Sequence, residues 1–250
     1  MGRGELVSRA RLEFLGGFTL TVEGTVVEVP KTLQRLIAFL GLRQQATRAH
    51  TVGALWPEVS EDKALGSLRT ALWRLQQLGA PVIATSGEKL SLLADVVVDV
   101  NELVRAARML SYTEDDRRTA ADLLLDGPAE LLPGWFEDWV LIERERLRQL
   151  CLHALEDLAN HRLRTGRYGD AVEAALAAMR AEPLRESPYR LLIETHIAEG
   201  NYSEAVQTYQ SYRTLLDREL GVAPSPAIRA LIRGLFGHRP AAARSLVLSG

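Results

Sequence analysis

The sequence predicts a mainly α-helical protein in two parts, a small N-terminal α+β part with short antiparallel sheets and an all-α part after it. Three observations predict this fold class. Alternation of apolar and polar residues, the mark of short strands, is confined to the region before residue 99. Apolar residues at helical spacing dominate the remainder of the chain. The C-terminal part also contains an internal repeat with the period of a helical-repeat protein.

The composition is that of an ordinary globular protein, since 47% of the 250 residues are hydrophobic and 25% are charged. No apolar run reaches about 18 residues and no secretory h-region stands near the start, so we expect no membrane partner and a cytoplasmic location. The one cysteine, Cys151, excludes a disulfide framework and favours a reducing compartment. Because the net charge is −2, any basic surface for DNA has to be local.

The first elements are short strands and a helix. Residues 11–29 alternate apolar with polar side chains around two glycine-containing turns, Gly16-Gly17 and Glu23-Gly24. This pattern predicts two or three short antiparallel strands. Pro30 stands where a helix would begin, and apolar residues at helical spacing follow it. A first helix is therefore predicted over residues 31–43.

Two further helices and a hairpin complete the N-terminal part. Thr47 is a plausible N-cap of a short second helix that stops at Pro57, and Ser60 can cap a third. The third helix ends near Gly79, and the strand-like runs of PVIATSGEKLSLL follow, turning about Ser86-Gly87. Strands, three helices and a hairpin, in that order, predict a winged helix-turn-helix.

The third helix, which contains SLRTALWRLQQL, has two different faces. A stripe of leucine and alanine centred on Leu68 predicts the face that packs on the core. The opposite face and its edges hold Lys63, Gly66, Arg69, Thr70, Trp73, Arg74 and Gln77. Helix geometry alone leaves two interpretations open: Trp73 covers a neighbouring part of the protein and the arginines are solvated, or this face enters a DNA major groove.

The context of the helix favours DNA. Arginine pairs with guanine edges or phosphate, glutamine pairs with adenine, and a threonine methyl touches a thymine methyl. In a winged helix the last helix reads bases while the wing, here with Ser86 and Lys89, contacts the backbone. Arg48 is one more candidate contact.

The all-α part contains the repeat. The segment from Gly166 and Tyr168 onward aligns with the segment from Gly200 and Tyr202 onward, and the offset between them is the tetratricopeptide period. Two such repeats rarely bury enough surface alone, so helices around 101–125, 136–150 and 224–236 are expected to complete the stack. The predicted organisation is a flexible tail at 1–10, a DNA-binding domain at 11–98, a tetratricopeptide-like helical domain at 99–237 and a flexible tail at 238–250.

An enzyme is not expected, and no catalytic residue is proposed. The sequence has no HExxH, no GxSxG and no GxxxxGK[ST] motif, so neither a metal nor a cofactor is predicted. His153 and His161 lie on one predicted helix near Cys151, and a surface or groove role is expected for them rather than metal binding.

Several segments resemble a known family. FTLTVEGTVVEVPKTLQRLIAFL, LWPE and SLRTALWRL are similar to the winged-helix domain of OmpR-type regulators as used by the Streptomyces antibiotic regulatory proteins. ELLPG, DWVLIERERLRQL, EPLRE and YQSYRTLLDRELGVAPSP resemble that family's bacterial transcriptional activation domain. The resemblance covers residues 11–236 in the family's domain order.

The resemblance implies a pathway-specific transcriptional activator of antibiotic or other secondary-metabolite biosynthesis. It implies binding to direct repeats of double-stranded DNA near a −35 element and recruitment of RNA polymerase through its sigma factor, by a homodimer or by copies side by side. Matched to the family, the recognition helix covers residues 61–78, and Lys63, Ser67, Arg69, Thr70, Trp73, Arg74 and Gln77 are its contacts. The loop Pro57, Glu58, Val59 and Ser60 corresponds to the segment that faces polymerase. A peptide-binding adaptor without DNA affinity and a repressor using the same DNA site remain as alternatives.

Overall fold

The computed structural model describes residues 10–79, 81–109, 121, 123–127 and 129–237. The chain forms two compact units. The first contains the described residues up to Ala106 and the segment that ends at Leu147; the second contains those from Ala107 to Gly127 and from Arg148 onward. The two predicted tails lie outside the described residues, apart from Ala10, which belongs to a strand.

The secondary structure follows a simple order. The elements up to residue 98 are β1 (Ala10–Glu13), β2 (Thr19–Val22), β3 (Thr25–Val26), α1 (Lys31–Arg43), β4 (Gln45–Thr47), α2 (Arg48–Leu55), α3 (Glu61–Gln77), β5 (Ile83–Ser86), β6 (Lys89–Leu92) and β7 (Val96–Val98). The later helices are α4 (Asp99–Met109), α5 (Asp138–Arg164), α6 (Tyr168–Ala181), α7 (Glu186–Glu199), α8 (Tyr202–Leu220) and α9 (Pro226–Gly237).

The first sheet has the strand order β3-β2-β1-β7. Strands β1 and β2 are antiparallel, with Leu12 opposite Leu20, and both leucines are fully buried. The turn to β3 uses Glu23 and Gly24, both at positive φ as a tight hairpin requires. The two or three predicted antiparallel strands are thus confirmed. Strand β7, which runs parallel to β1, was not predicted, because a short run of valines does not specify a distant partner.

The three helices of the first unit occupy the predicted positions. Helix α1 begins after Pro30 and buries Leu33, Leu36 and Leu40. Helix α2 is capped by Thr47, whose hydroxyl accepts a hydrogen bond from the His50 N–H at 3.1 Å. Helix α3 begins after Ser60, but the Ser60 side chain makes no capping hydrogen bond.

The predicted hairpin is also present. Strands β5 and β6 pair with Ser86 opposite Lys89, and Gly87 takes the positive φ of the two-residue turn. Strand β4 pairs with the other side of β6, giving a three-stranded sheet of order β4-β6-β5. Strand β4 was not predicted, since three residues next to a helix cap are too few to show alternation.

Residues 129–147 belong to the first unit, although the sequence places them after its wing. Leu131, Leu132 and Trp139 join the core formed by α1 and the first sheet. The indole of Trp139 meets the Phe39 ring edge-on, with centroids 5.4 Å apart. The guanidinium of Arg144 donates hydrogen bonds to the carbonyls of Leu131, Leu132 and Trp135, which fixes the loop before α5.

The second unit has the predicted repeat. Helices α6 and α8 begin at Tyr168 and Tyr202, one repeat period apart, and each follows a glycine at positive φ. Ala171 and Ala205, at equivalent positions, are fully buried where the helices approach closely. The phenol of Tyr212 donates a hydrogen bond to the Leu184 carbonyl at 3.2 Å and its ring stacks on that of Tyr189.

The helices flanking the repeat differ from the prediction in one respect. The expected helix over 136–150 and the first helix of the repeat are one continuous helix, α5, of 27 residues. No glycine or proline interrupts residues 138–164, so nothing ends the helix between them. Helix α4 starts at Asp99, just before the expected range 101–125, whose residues 110–120 and 122 lie outside the described part.

Candidate nucleic-acid interface

Helix α3 separates a buried face from an exposed one. Ala64, Leu68, Ala71 and Leu75 are at most 6% exposed, which confirms the predicted core stripe. On the other side the indole of Trp73 is 60% exposed. Tryptophan is enriched at interfaces because its ring offers a large apolar area and its indole N–H a donor, so this face is a candidate surface for a partner.

The exposed side of α3 carries two rows of side chains. One row borders a groove of about 430 Å³ between α3 and the first turn of α1. The groove is lined by Thr32, Leu33, Trp56, Lys63, Gly66, Ser67, Thr70, Ala71 and Arg74. The other row, which does not line the groove, consists of Arg69, Trp73 and Gln77, four residues apart and all exposed.

The two hydroxyl groups in the groove are used within α3. The Ser67 hydroxyl donates to the Lys63 carbonyl at 3.1 Å, and the Thr70 hydroxyl donates to the Gly66 carbonyl at 3.0 Å. Each oxygen keeps lone pairs to accept from a base amino group, but its proton is occupied in the free protein. The α3 side of the groove is thus lined, between Lys63 and Arg74, by small residues whose hydroxyl protons are already used.

The cations of α3 are available to a ligand. Neither Lys63 nor Arg74 forms an ion pair with a carboxylate in the part of the chain that the structure describes, and both are exposed. Arg69 is likewise exposed. Gly66 has no side chain between these residues, and a Cβ placed there would meet only the Arg69 guanidinium, at 3.8 Å. A double helix can thus approach the helix axis closely at Gly66.

The wing lies at the turn between β5 and β6. Ser86 and Lys89 are both exposed there, as a contact with the DNA backbone requires. Arg48 connects the wing to the helices: its Nε donates to the Gly87 carbonyl at 3.1 Å and its backbone N–H donates to the Glu88 carbonyl at 2.8 Å. Arg48 therefore positions the wing, and its two terminal nitrogens remain to contact a phosphate.

The loop between α2 and α3 protrudes into solvent. Pro57, Glu58, Val59 and Ser60 are all exposed, and the apolar side chain of Val59 is 45% exposed. The backbone N–H of Val59 donates to the Trp56 carbonyl at 3.4 Å, which is a weak turn contact. An exposed valine in a short ordered loop is accessible to a protein partner.

Two residues of the groove, Thr32 and Trp56, were not among the DNA contacts predicted from the sequence. Thr32 lies in the first turn of α1, far from α3 in sequence, and only the fold brings it opposite Lys63. Trp56 was assigned to the second helix and is half-buried at its C-cap, where it forms part of the groove wall. The periodicity of α3 showed a face opposite the leucine stripe, whereas its exposure and the opposite wall of the groove required tertiary contacts.

One half-buried carboxylate joins two elements of the first unit. Asp99 accepts hydrogen bonds from the backbone N–H groups of Phe14, Leu15 and Val100, at 2.9, 2.9 and 2.7 Å. Desolvation raises the pKa of Asp99 above its ordinary value, and the three hydrogen bonds oppose that rise. The carboxylate joins the end of β1 to the start of α4, so its role is structural.

Three further properties of the described residues bear on function: metal binding, the reactivity of the thiol and the capacity of a helix to span a membrane. No group of three or more His, Cys, Asp or Glu side chains in them is placed to hold a metal ion. Burial raises the pKa of the Cys151 thiol to about 11. Within the same residues no helix is both long and apolar enough to cross a membrane.

Comparisons with known proteins agree with this architecture. Regulatory protein AfsR of Streptomyces coelicolor is 32% identical over 248 residues, covering 93% of this chain and 25% of the relative. Regulatory protein AfsR of Streptomyces griseus is 32% identical over 216 residues, covering 78% of this chain and 21% of the relative. This chain thus spans about a quarter of the length of these relatives or less.

A solved structure shares the fold. Mycobacterium tuberculosis EmbR, determined in complex with a low affinity phosphopeptide, matches with a TM-score of 0.72 and 21% identity, over 93% of this chain and 66% of that one. The predicted fold class, a winged helix followed by a tetratricopeptide-like helical part, is confirmed. The model of the bacterial transcriptional activator domain matches residues 98–235, which is more than half of the chain. The chain therefore belongs to the bacterial transcriptional activator domain family, and its predicted kinship with the Streptomyces antibiotic regulatory proteins is confirmed.

Proposed function

We propose that this chain is a sequence-specific DNA-binding transcriptional activator and not an enzyme. The observation that carries the proposal is the exposed face of α3, where Trp73 stays in solvent beside Arg69 and Gln77 while the leucine stripe is buried. A helix of this kind next to a β-hairpin wing has the geometry of a recognition helix that enters a major groove. A DNA-binding regulator acts where bacterial DNA lies, in the cytoplasm.

The DNA contacts that we propose come from three places. Helix α3 contributes Lys63, Ser67, Arg69, Thr70, Trp73, Arg74 and Gln77. The wing contributes Ser86 and Lys89, and Arg48 supports the wing through the Gly87 carbonyl. Their position on connected elements of one compact unit supports a single continuous surface.

The regulatory role rests on the family and on the loop between α2 and α3. The relatives are named as regulatory proteins, and this chain matches the model of the bacterial transcriptional activator domain. We propose that the exposed loop from Pro57 to Ser60 contacts RNA polymerase, through its sigma factor, when copies stand on direct repeats near a −35 element. We further propose that the target genes belong to a secondary-metabolite pathway.

The first experiment determines whether specific DNA is bound. The purified chain is mixed with a randomised duplex library, bound DNA is selected over several rounds, and the enriched sequence is tested by gel shift against a scrambled duplex. A specific protein binds the selected duplex about 10³-fold or more tighter than the scrambled one at physiological salt. Equal affinity for both duplexes would reject the proposal and leave a protein–protein adaptor as the function.

A second experiment separates activation from repression. Run-off transcription from a promoter that carries the selected sequence beside its −35 element is measured with and without the chain. More transcript supports an activator, whereas less transcript assigns a repressor to the same surface. Val59→Asp in the loop should keep the gel shift and lose the added transcript, since it changes a partner contact and no DNA contact.

A further inference from the structure

We propose that the groove between α3 and the first turn of α1 seats the sugar–phosphate backbone of one DNA strand. Lys63, Arg74 and Thr32 contact its phosphates, while Arg69 and Gln77, outside the groove, contact base edges. This inference rests on the proposed function. It assigns two cations of the recognition helix, Lys63 and Arg74, to positioning the protein on the DNA backbone, and a third, Arg69, to reading the base sequence.

Charge is the first reason to place a phosphate backbone in the groove. Lys63 and Arg74 are its two cationic lining residues, and no lining residue is acidic. They are 11 residues apart on one helix, which corresponds to about 16 Å along the axis. A DNA strand carries one negative charge per about 3.4 Å of helix axis, so the two side chains reach different phosphates of the same strand.

The shape of the groove is the second reason. One wall is α3, and the opposite wall is formed by Thr32 of α1 and by Trp56, so the space is recessed between two elements. Base edges lie inside the major groove and are reached by side chains that protrude from a helix. A strand backbone lies on the outside of the duplex and can enter a recess.

The hydrogen-bonding groups in the groove fit an anion. The Thr32 hydroxyl and the Trp56 indole N–H make no hydrogen bond in the described part of the chain, and both can donate. The Ser67 and Thr70 hydroxyls already donate to α3 carbonyls, so their contacts with the strand are van der Waals contacts and not donated hydrogen bonds. The free donors thus lie on the far wall and at the two ends, where phosphate oxygens would pass.

The ridge of Arg69, Trp73 and Gln77 has different properties. These residues are exposed and lie outside the groove, at successive turns of α3. The arginine fork matches the two acceptors of guanine, and the glutamine amide matches the donor and acceptor of adenine. A protruding row with these two side chains is suited to base readout.

The test uses the salt dependence of binding, because phosphate contacts release counterions and base contacts do not. Dissociation constants of the full chain are measured by fluorescence anisotropy between 100 and about 400 mM KCl, on the selected duplex, on single-base-pair variants of it and on a scrambled duplex. The variants are Lys63→Ala, Arg74→Ala, Thr32→Val, Arg69→Ala and Gln77→Ala. Arg218→Ala, on α8 of the second unit, removes one exposed cation as the matched control. Circular dichroism melting verifies that each variant is folded.

Lys63→Ala and Arg74→Ala should each weaken binding to all duplexes by a similar factor, roughly fivefold or more, and reduce the slope of log K against log salt by about 0.9. Thr32→Val should weaken all duplexes by about tenfold with an unchanged slope. Arg69→Ala and Gln77→Ala should weaken the selected duplex only and lose preference at one base pair each. Arg218→Ala should change neither quantity.

The inference is overturned if Lys63→Ala or Arg74→Ala alters base preference, or if their salt slopes equal that of the wild type. It is equally overturned if Arg69→Ala lowers affinity for the scrambled duplex as much as for the selected one. These results differ from failure of the proposed function, in which the wild-type chain selects no sequence at all.

Discussion

Gly41 determines how closely α1 approaches the first sheet. A Cβ at this position would overlap the end of the Phe14 ring, and Phe14 is fully buried and stacks on Phe18 with centroids 5.8 Å apart. Because Phe14 lies in the core cluster, its ring can move only by displacing core neighbours. Side-chain volume, rather than backbone conformation, therefore requires glycine here.

Gly41→Ala should reduce the free energy of unfolding of the first unit by about 1–3 kcal/mol, because an added methyl overpacks a filled core. Urea denaturation followed by tryptophan fluorescence measures the change. Gly53→Ala is the matched control, since Gly53 lies in α2 with nothing within 4 Å of its Cβ position. That substitution should stabilise by up to about 1 kcal/mol. A neutral or stabilising Gly41→Ala would contradict the packing described for α1.

Cys151 is a residue for which burial has a measurable chemical effect. Burial penalises the thiolate and raises the pKa of the thiol from 9.0 to about 11. The folded pKa lies above the unfolded one. The contribution of this group to stability is therefore fully present below about pH 9 and is lost as the pH rises through about 11.

The native thiol should react slowly with 5,5′-dithiobis(2-nitrobenzoate) at pH 8. The thiolate fraction in the folded chain is about 100-fold below that of an unperturbed cysteine, and burial blocks access as well. Absorbance at the product wavelength follows the reaction, and the chain in guanidinium chloride gives the reference rate. Complete labelling of the folded chain at the reference rate would show that Cys151 is exposed.

Helix α3 uses its two faces for separate purposes, stability and recognition. Leu68 is fully buried in the core, and Trp73 is 60% exposed on the opposite side. The two residues are five positions apart on the same helix, so their substitutions test one element from both faces.

Leu68→Ala should reduce the free energy of unfolding by about 2–5 kcal/mol through the cavity that it leaves. Trp73→Ala should change stability by no more than about 0.5 kcal/mol and weaken binding to the selected duplex. Thermal melting and fluorescence anisotropy on the same samples provide both numbers. If Trp73→Ala destabilised the fold as much as Leu68→Ala, the indole would be a packing residue and the DNA interpretation of this face would fail.

Elements with a local sequence signal were predicted, and features that depend on contacts between distant residues were not. Helices α1, α2 and α3 were predicted because each has a local start signal, such as Pro30 or Thr47, and a regular apolar stripe. Strand β7 and the far wall of the groove at Thr32 were not, since both depend on residues distant in sequence. Helix geometry placed Arg69, Trp73 and Gln77 away from the leucine stripe but left open whether Trp73 was covered. Their exposure, and the distinction between this row and the groove, required the fold.

At the scale of the molecule, the family domain and the compact units have different boundaries. The activator domain model matches residues 98–235. Within that range, residues 98–106 and 129–147 belong to the first compact unit, which contains the winged helix. Trp139 lies in the core of the first unit against Phe39, and Arg35 pairs with Glu137 at 2.9 Å. The winged helix is thus completed by a segment that the sequence assigns to the following domain.

This arrangement predicts that Trp139→Ala weakens DNA binding without removing a DNA contact. Loss of the indole from the core should destabilise the first unit by about 3–5 kcal/mol, as for other buried aromatic residues. Amide hydrogen exchange should show faster exchange in α1 and β1, with the helices of the second unit unaffected. Affinity for the selected duplex should fall as the unfolded fraction of the first unit rises with temperature, and recover on cooling.

Tyr212→Ala provides the matched substitution in the other core. Tyr212 is 2% exposed in a core formed by α7, α8 and α9. Its removal should destabilise the second unit about as much as Trp139→Ala destabilises the first, so amide exchange should become faster in those helices and remain slow in α1. DNA affinity at 25 °C should then equal that of the wild type. If Trp139→Ala speeds exchange only in the second unit, residues 129–147 fold with the helical repeats. The conclusion that this segment completes the winged helix would then be wrong.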